Sequence, residues 1–382
     1  MKKILSRLCA SAIALSLLAA CNAEAVPVSG GSVTEAPPAA GASREDMAKQ
    51  SPSPVPTVTP TPEPTPEPTP APTPVNYTVV KPYEVGHTMV LMYHGIVDER
   101  KPTNEYARTK DEFRSDLQAL YDRGYRLLSL RDLMDNNVTT EAGYTPVVLT
   151  FDDGLASSFS LMEENGKLVP VPDCGLDILL KFAAEHPDFG MAATFYINGN
   201  NNPFQGAGTL AERLQFLIDN GCDVGNHTYS HADLPTLDAA GIQAELAIVD
   251  RMIRESLPGY APAGVAYPFG HRPQEEDLRP YILSGEHDGW TYTYDFALRV
   301  GQSGASTTPN RVTFEPLNLA RVTGSQGWDT DLWWFLNRYD EHPEYRYISD
   351  GDPETIVVPR DSEANVVMES LGGKQLIIYD PE

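Results

Sequence analysis

The stretch Val147-Val148-Leu149-Thr150-Phe151-Asp152-Asp153-Gly154 runs an apolar strand into two adjacent carboxylates and a glycine. The C-terminal end of a strand is where β/α folds place their reactive groups. Neighbouring side chains of a strand point to opposite faces, so both aspartates can serve one site only where the strand breaks, and Gly154 supplies the break. A glycosidase needs its two carboxyl groups ~5–9.5 Å apart across the bond cleaved. Adjacent aspartates are ill placed for that, but suit one acid that binds a metal and another that acts on water beside it. An aspartate turn after a strand is the competing structural reading. Downstream, Asn226-His227-Thr228-Tyr229-Ser230-His231 carries two histidines at i and i+4. On a helix such a pair shares a face and can bind one ion; two surface histidines are the bland alternative. Asp153, His227 and His231 together make a two-His, one-carboxylate set that leaves positions open for water and substrate. The set suits Zn²⁺ and is compatible with Fe²⁺, Co²⁺, Ni²⁺ or Mn²⁺.

The elements that must position these residues read as alternating β/α units. Strands are expected at Thr88–Tyr93, Val147–Phe151, Ala192–Ile197 and Cys222–Val224, and helices at Asp111–Arg123, Leu210–Asn220 and Gly241–Leu257, each stopped by a glycine or a Pro-Gly pair. That order implies an α/β fold with parallel strands, open or closed into a barrel. Leu161–Pro187 is longer than a β/α connection requires and reads as an insertion. Asp329–Tyr339 reads as a helix packing Leu332, Trp333, Phe335 and Leu336, with an exposed Trp334 as the alternative. A strand-like IVVP and a final QLIIY follow it.

The 382 residues hold 28 Lys+Arg against 53 Asp+Glu, a formal charge of −25. So acidic a body repels phosphate backbones, which argues against nucleic acid as a partner and favours a neutral or cationic one. No protein partner is implied. Residues 1–20 read as an export signal, with Lys2, Lys3 and Arg7 ahead of the apolar run Leu8–Ala20. Leu18-Ala19-Ala20-Cys21 looks like a bacterial lipobox. This implies a lipid anchor on Cys21 at the extracellular face of the cytoplasmic membrane, with secretion after ordinary cleavage as the alternative. Between Ser51 and Pro74, 11 of 24 residues are proline, which makes this stretch an extended spacer within a disordered linker over residues 21–76; at ~3.1 Å per residue it reaches on the order of 75 Å. The folded part begins near residue 77, a barrel over 77–325 followed by an extension over 326–382. Cys174 and Cys222 fit either a disulfide or two buried thiols.

TFDDG at Thr150–Gly154, HTYSH at His227–His231 and the intervening ATFY at Ala193–Tyr196 resemble, in order and separation, the polysaccharide deacetylase family, carbohydrate esterase family four. The resemblance spans roughly His87–Thr323. It implies a distorted (β/α) barrel, Asp152 as catalytic base, and Asp153, His227 and His231 as metal ligands. The family's Arg-x-Pro-Tyr-Gly segment stands here as Ala266-Tyr267-Pro268-Phe269-Gly270. The arginine that orients the base is missing, while the backbone N–H at Phe269 can still serve an oxyanion. Arg272 is nearby in sequence, with nothing to tie it to Asp152. The family's C-terminal histidine motif has no counterpart. Instead Met89–Gly95 (MVLMYHG) resembles the poly-N-acetylglucosamine deacetylase branch, whose barrel motifs look circularly permuted, and implies His94 as the general acid. Leu319-Ala320-Arg321-Val322 resembles a segment near the site of that branch, which makes Arg321 a substrate-binding candidate. Trp290 is a candidate wall for a sugar ring, with core packing as its alternative.

The reaction so implied is removal of N-acetyl groups from N-acetylglucosamine units of an extracellular or cell-wall polysaccharide: peptidoglycan, a secreted poly-N-acetylglucosamine or a chitin-like polymer. An O-acetyl sugar esterase and a catalytically weak carbohydrate-binding module are the alternatives.

Overall fold

Seven parallel strands close a barrel in the computed structural model, which describes residues 75–300 and 305–381. They are β1 (His87–Tyr93), β2 (Thr145–Phe151), β3 (Ala193–Ile197), β4 (Cys222–Asn226), β5 (Val265–Ala266), β6 (Ala297–Val300) and β7 (Leu319–Thr323). Pairing proceeds around the ring through Val90 with Val148, Phe151 with Phe195, Phe195 with Val224, and Asn226 with Val265. Ala266 with Leu298 and Leu298 with Leu319 continue it, and Leu91 with Val322 returns it to β1. Every residue of β2 and β3 is buried, as expected for parallel strands covered on both faces, and this is why they read as unbroken apolar runs. The sequence-predicted leader, Cys21 and the proline-rich linker lie outside the described residues. Among the described residues no helix is long and apolar enough to cross a membrane.

Helices α1 (Lys110–Asp122), α2 (Gly175–Glu185), α3 (Leu210–Asp219), α4 (Ala239–Ser256) and α5 (Leu332–Glu341) accompany the strands. α1 and α3 begin one residue after threonines that form capping boxes, Thr109 with Glu112 and Thr209 with Glu212. The expected insertion at Leu161–Pro187 resolves into a hairpin, Leu161–Glu164 against Lys167–Pro170, and then α2. Leu332, Phe335, Leu336 and Tyr339 of α5 join the core that contains Leu117 and Leu120 of α1, while Trp334 is part-exposed. Cys174 and Cys222 are both free, buried thiols.

Two buried polar clusters tie the barrel to the segments around it. Asp116 of α1, fully buried, takes two hydrogen bonds from the Arg108 guanidinium (2.9 and 2.5 Å) and others from Trp333 Nε1 (2.7 Å) and Tyr93 Oη (3.3 Å). It thereby ties β1, α1 and α5 together. Glu84, ahead of β1, accepts from the backbone N–H groups of Val357 (2.7 Å) and Asp350 (3.2 Å) and from Tyr347 Oη (3.2 Å). Val357 belongs to a strand, Thr355–Pro359, that pairs in parallel with Gln375–Tyr379. Burial, with the charge of Asp350 beside it, pushes the Glu84 carboxyl up to about 8.

Candidate active site

The C-terminal ends of β1, β2, β4, β5 and β6 surround a cleft of about 310 Å³. His94 enters it just beyond β1, Asp152 and Asp153 just beyond β2, and His227 and His231 beyond β4, with Phe269 and Val300 on the rim. The double aspartate reaches one site as the sequence implies, because the strand breaks there. The break starts one residue earlier than expected: Asp153 (φ 71°) and Gly154 (φ 60°) are both left-handed. A side chain at Gly154 would be strained by the positive φ and crowded as well, since a Cβ would stand 3.1 Å from Pro203 and 3.3 Å from Ile197.

His227 and His231 do not share a helix face. Residues 227–231 form a loop in which Thr228 (φ 64°) and His231 (φ 57°) take left-handed conformations. The loop is held from outside: Ser230 donates through N–H and Oγ to Glu245 of α4 (2.7 Å each), and Asn198 Nδ2 donates to the His227 carbonyl (2.6 Å). Non-glycine residues in this region cost of order 1–3 kcal/mol each and persist where the surroundings over-determine them, a pattern that concentrates at functional sites.

The ligand atoms of Asp153, His227 and His231 lie within 4.8 Å of one another. His227 Nε2 is 3.4 Å and His231 Nε2 3.7 Å from Asp153 Oδ1. The fully buried His227 ring contacts the Ala266 carbonyl through Nδ1 (2.7 Å), which places its proton on that nitrogen and leaves Nε2 as a lone-pair donor to the cleft. Metal-binding histidines are oriented by such backbone contacts. One carboxylate and two imidazole nitrogens, converging on an open cleft, fit a divalent cation of the zinc class.

Asp152 is held differently. Its carboxylate is buried and takes a two-pronged contact from Arg321, Nη1 to Oδ1 and Nη2 to Oδ2, both 2.6 Å. Arg321 sits mid-way along β7 with no exposed surface and also donates to Thr150 Oγ1 (3.2 Å). Burial by itself would raise the Asp152 carboxyl, but the Arg321 guanidinium and the neighbouring His227 outweigh it, so the group stays ionised below the usual carboxylate range. Expected as a substrate-binding residue, Arg321 is instead buried behind the cleft lining, where it grips Asp152. Arg272 stands at the surface 3.7 Å from Glu315. Burial pulls the His94 imidazole down, against the opposing charges of Asp152 and Asp153. Its Nδ1 has no hydrogen-bond partner among the described residues, and its ring meets Tyr106 edge-on at 5.1 Å.

Phe269 stands at the rim, exposed, with φ 58° and its ring 4.7 Å from that of His231. Trp290 is elsewhere. It lies in a hairpin, Ser284–His287 against Trp290–Thr293, and donates Nε1 to Asp250 of α4 (2.9 Å). It packs and lines no part of the cleft, because the hairpin lies against α4.

Residues 140–279 match the family model described as polysaccharide deacetylase. The match supports that family. Three curated relatives agree in kind. A chitin deacetylase of Colletotrichum lindemuthianum is 30% identical over 125 residues, 33% of this chain and 46% of that protein. A chitooligosaccharide deacetylase of Bradyrhizobium sp. (strain ANU 289) is 29% identical over 34% of this chain and 48% of its own length. A probable peptidoglycan-N-acetylglucosamine deacetylase of Arthroderma benhamiae is 27% identical over 39% of this chain and 30% of its own. The chain thus spans less than half the length of each. Among solved structures, a polysaccharide deacetylase from Bacillus cereus aligns with TM-score 0.47 and 24% identity over 66% of this chain and 68% of that one. A Streptococcus pyogenes deacetylase in complex with acetate aligns with TM-score 0.48 and 19% identity over 66% and 97%.

Two features of the site escape the motif reading. The grip on Asp152 comes from Arg321, 169 positions away in sequence. The resemblance of Leu319–Val322 to a segment near the site pointed to this residue, but as a sugar contact; the signal for the grip itself was an arginine inside an otherwise apolar strand, which must be paired if buried. Tyr106 lines the cleft from a loop after β1 that carries no motif.

Proposed function

We propose that this protein is a metal-dependent hydrolase that removes N-acetyl groups from N-acetylglucosamine units of an extracellular or cell-wall polysaccharide, and that it reaches its substrate from a lipid anchor at Cys21. The observation that carries the catalytic part is the convergence of Asp153, His227 and His231 beside an ionised, arginine-gripped Asp152 in one open cleft.

A divalent metal, Zn²⁺ by donor type, would be held by Asp153, His227 and His231; when bound it supplies Lewis acidity that can bring the pKa of water from 15.7 to about 7. The chain's own groups supply the rest. Asp152, fixed by Arg321, accepts the proton of the attacking water. The backbone N–H of Phe269 at the rim stabilises the oxyanion formed from the acetamide carbonyl. His94, beside Asp152 at the end of the adjacent strand, passes a proton to the leaving amine. The products are acetate and a glucosamine unit, which becomes an ammonium and is not repelled by an acidic protein.

The experiment is acetate release from N-acetylglucosamine oligomers compared with O-acetylated sugars. Release from the N-acetyl substrates at far higher kcat/KM supports the proposal. Preference for O-acetyl esters overturns it in favour of an esterase, and binding of oligomers without acetate in either case overturns it in favour of a binding module.

A further inference from the structure

The catalytic cleft does not end at Tyr106 and Val300. The same two residues wall a second cavity of about 290 Å³, comparable to the first, on the same end of the barrel. Its floor comes from the loop after β7, which neighbours the Tyr106 loop because β7 pairs with β1. Trp328 and Tyr106 bring two part-exposed aromatic rings, 41% and 43% exposed. Glu105 and Asp329 bring carboxylates, and among the described residues no lysine or arginine lines the cavity. Asp331 is already committed to the fold, since it caps α5 through the Trp334 N–H (2.8 Å) and holds the Trp328 N–H (2.9 Å). Asp329 has no hydrogen bond or ion pair among the described residues, and its side chain is exposed.

We propose that this second cavity holds the sugar unit adjacent to the one undergoing deacetylation, and that Glu105 and Asp329 select a neighbour whose amine is already free. The proposal rests on the deacetylase reading above. Aromatic rings with a few placed polar groups are the usual lining of a small-ligand site. A 2-amino sugar offers an apolar ring face to Trp328 and Tyr106 and an ammonium to the two carboxylates. The ammonium is also the product of the proposed reaction, so each turnover creates a preferred neighbour, and free amines should accumulate in runs along the polymer.

The test compares two tetramers of N-acetylglucosamine, one fully acetylated and one with a free amine on the unit beside the reacting one. At low salt the second should be used about fivefold better in kcat/KM, as two exposed charge pairs allow. The ratio should shrink in high salt. Glu105→Gln with Asp329→Asn should bring the ratio near one, whereas Trp328→Ala should weaken both substrates and leave the ratio standing. A wild-type ratio of one, or a ratio unchanged in the double variant, overturns the proposal. Binding of the glucosamine tetramer, followed by tryptophan fluorescence, separates this from failure of the deacetylase reading. If neither tetramer releases acetate, tighter binding of the glucosamine tetramer that is lost in the double variant still upholds the cavity's role. Equal binding of both tetramers overturns it.

Discussion

Replacing Arg321 with methionine removes a guanidinium that has no exposed surface and makes two 2.6 Å contacts to a buried carboxylate. The side chain keeps most of its volume, so the main change is electrostatic. Taking one partner from a buried ion pair typically costs about 3–5 kcal/mol, because the other charge is left in a low-dielectric site. In a domain of this size that corresponds to a fall in Tm on the order of 5–15 °C. Activity should fall further than stability. Asp152 loses the fork that fixes both of its oxygens, and a positioned base is worth about 10²–10⁴ in rate. The metal ligands are untouched, so metal content should stay at the wild-type level, which separates loss of positioning from loss of the metal. Arg321→Lys restores the charge without the two-pronged geometry and should recover stability better than rate. Arg321→Met combined with Asp152→Asn should regain stability, since no unpaired charge remains, while staying inactive. The assays are thermal unfolding, acetate release at saturating substrate, and metal analysis of each variant. Wild-type Tm and kcat in Arg321→Met would refute the reasoning, as would a double variant no more stable than the single one.

Asp116→Ala strands Arg108 in the core joining β1, α1 and α5, and should cost about 3–5 kcal/mol by denaturant unfolding while kcat of the folded fraction holds. The Glu84 carboxyl keeps its proton up to about pH 8 in the folded chain, whereas in the unfolded chain it ionises near its ordinary value. Between those values the folded state binds the extra proton, so stability should decline as pH rises toward and through 8, by up to about 1.4 kcal/mol per unit. Glu84→Gln should flatten that slope; a slope equal to wild type would remove Glu84 as its source. Trp290→Phe deletes the contact to Asp250 and should lower stability by about 1 kcal/mol with KM unchanged, since Trp290 lies outside the cleft; a raised KM would return it to substrate binding.

Much of the site was legible because its residues cluster at strand ends. β2 and β3 announce themselves as apolar runs, and Asp152-Asp153-Gly154 follows directly from one of them. The histidine pair was read correctly as a pair but for the wrong local reason. The i,i+4 spacing suggested a helix, whereas the loop reaches the same convergence through left-handed turns at Thr228 and His231, which Glu245 holds in place from α4. Arg321 shows where motif reading stops. The arginine missing before Tyr267-Pro268 is not replaced by a neighbour in sequence such as Arg272, but by a residue two strands further round the barrel. Closure of the ring brings β7 against β1, which pairs in turn with β2, and so carries the guanidinium to Asp152. Trp290 failed for a related reason, because its hairpin packs with the buried face of α4 rather than at the barrel mouth.

The central claim is that Asp153, His227 and His231 hold a divalent metal on which hydrolysis depends. The most direct measurement is a Zn²⁺ titration of metal-stripped protein, with acetate release from N-acetylglucosamine oligomers read at each point, for wild type and His227→Ala. The account predicts one ion bound per chain, activity rising in step with occupancy and abolished by chelator, and neither binding nor activity in the variant. Acetate release that persists without metal, or tight one-to-one binding retained in His227→Ala, would contradict it.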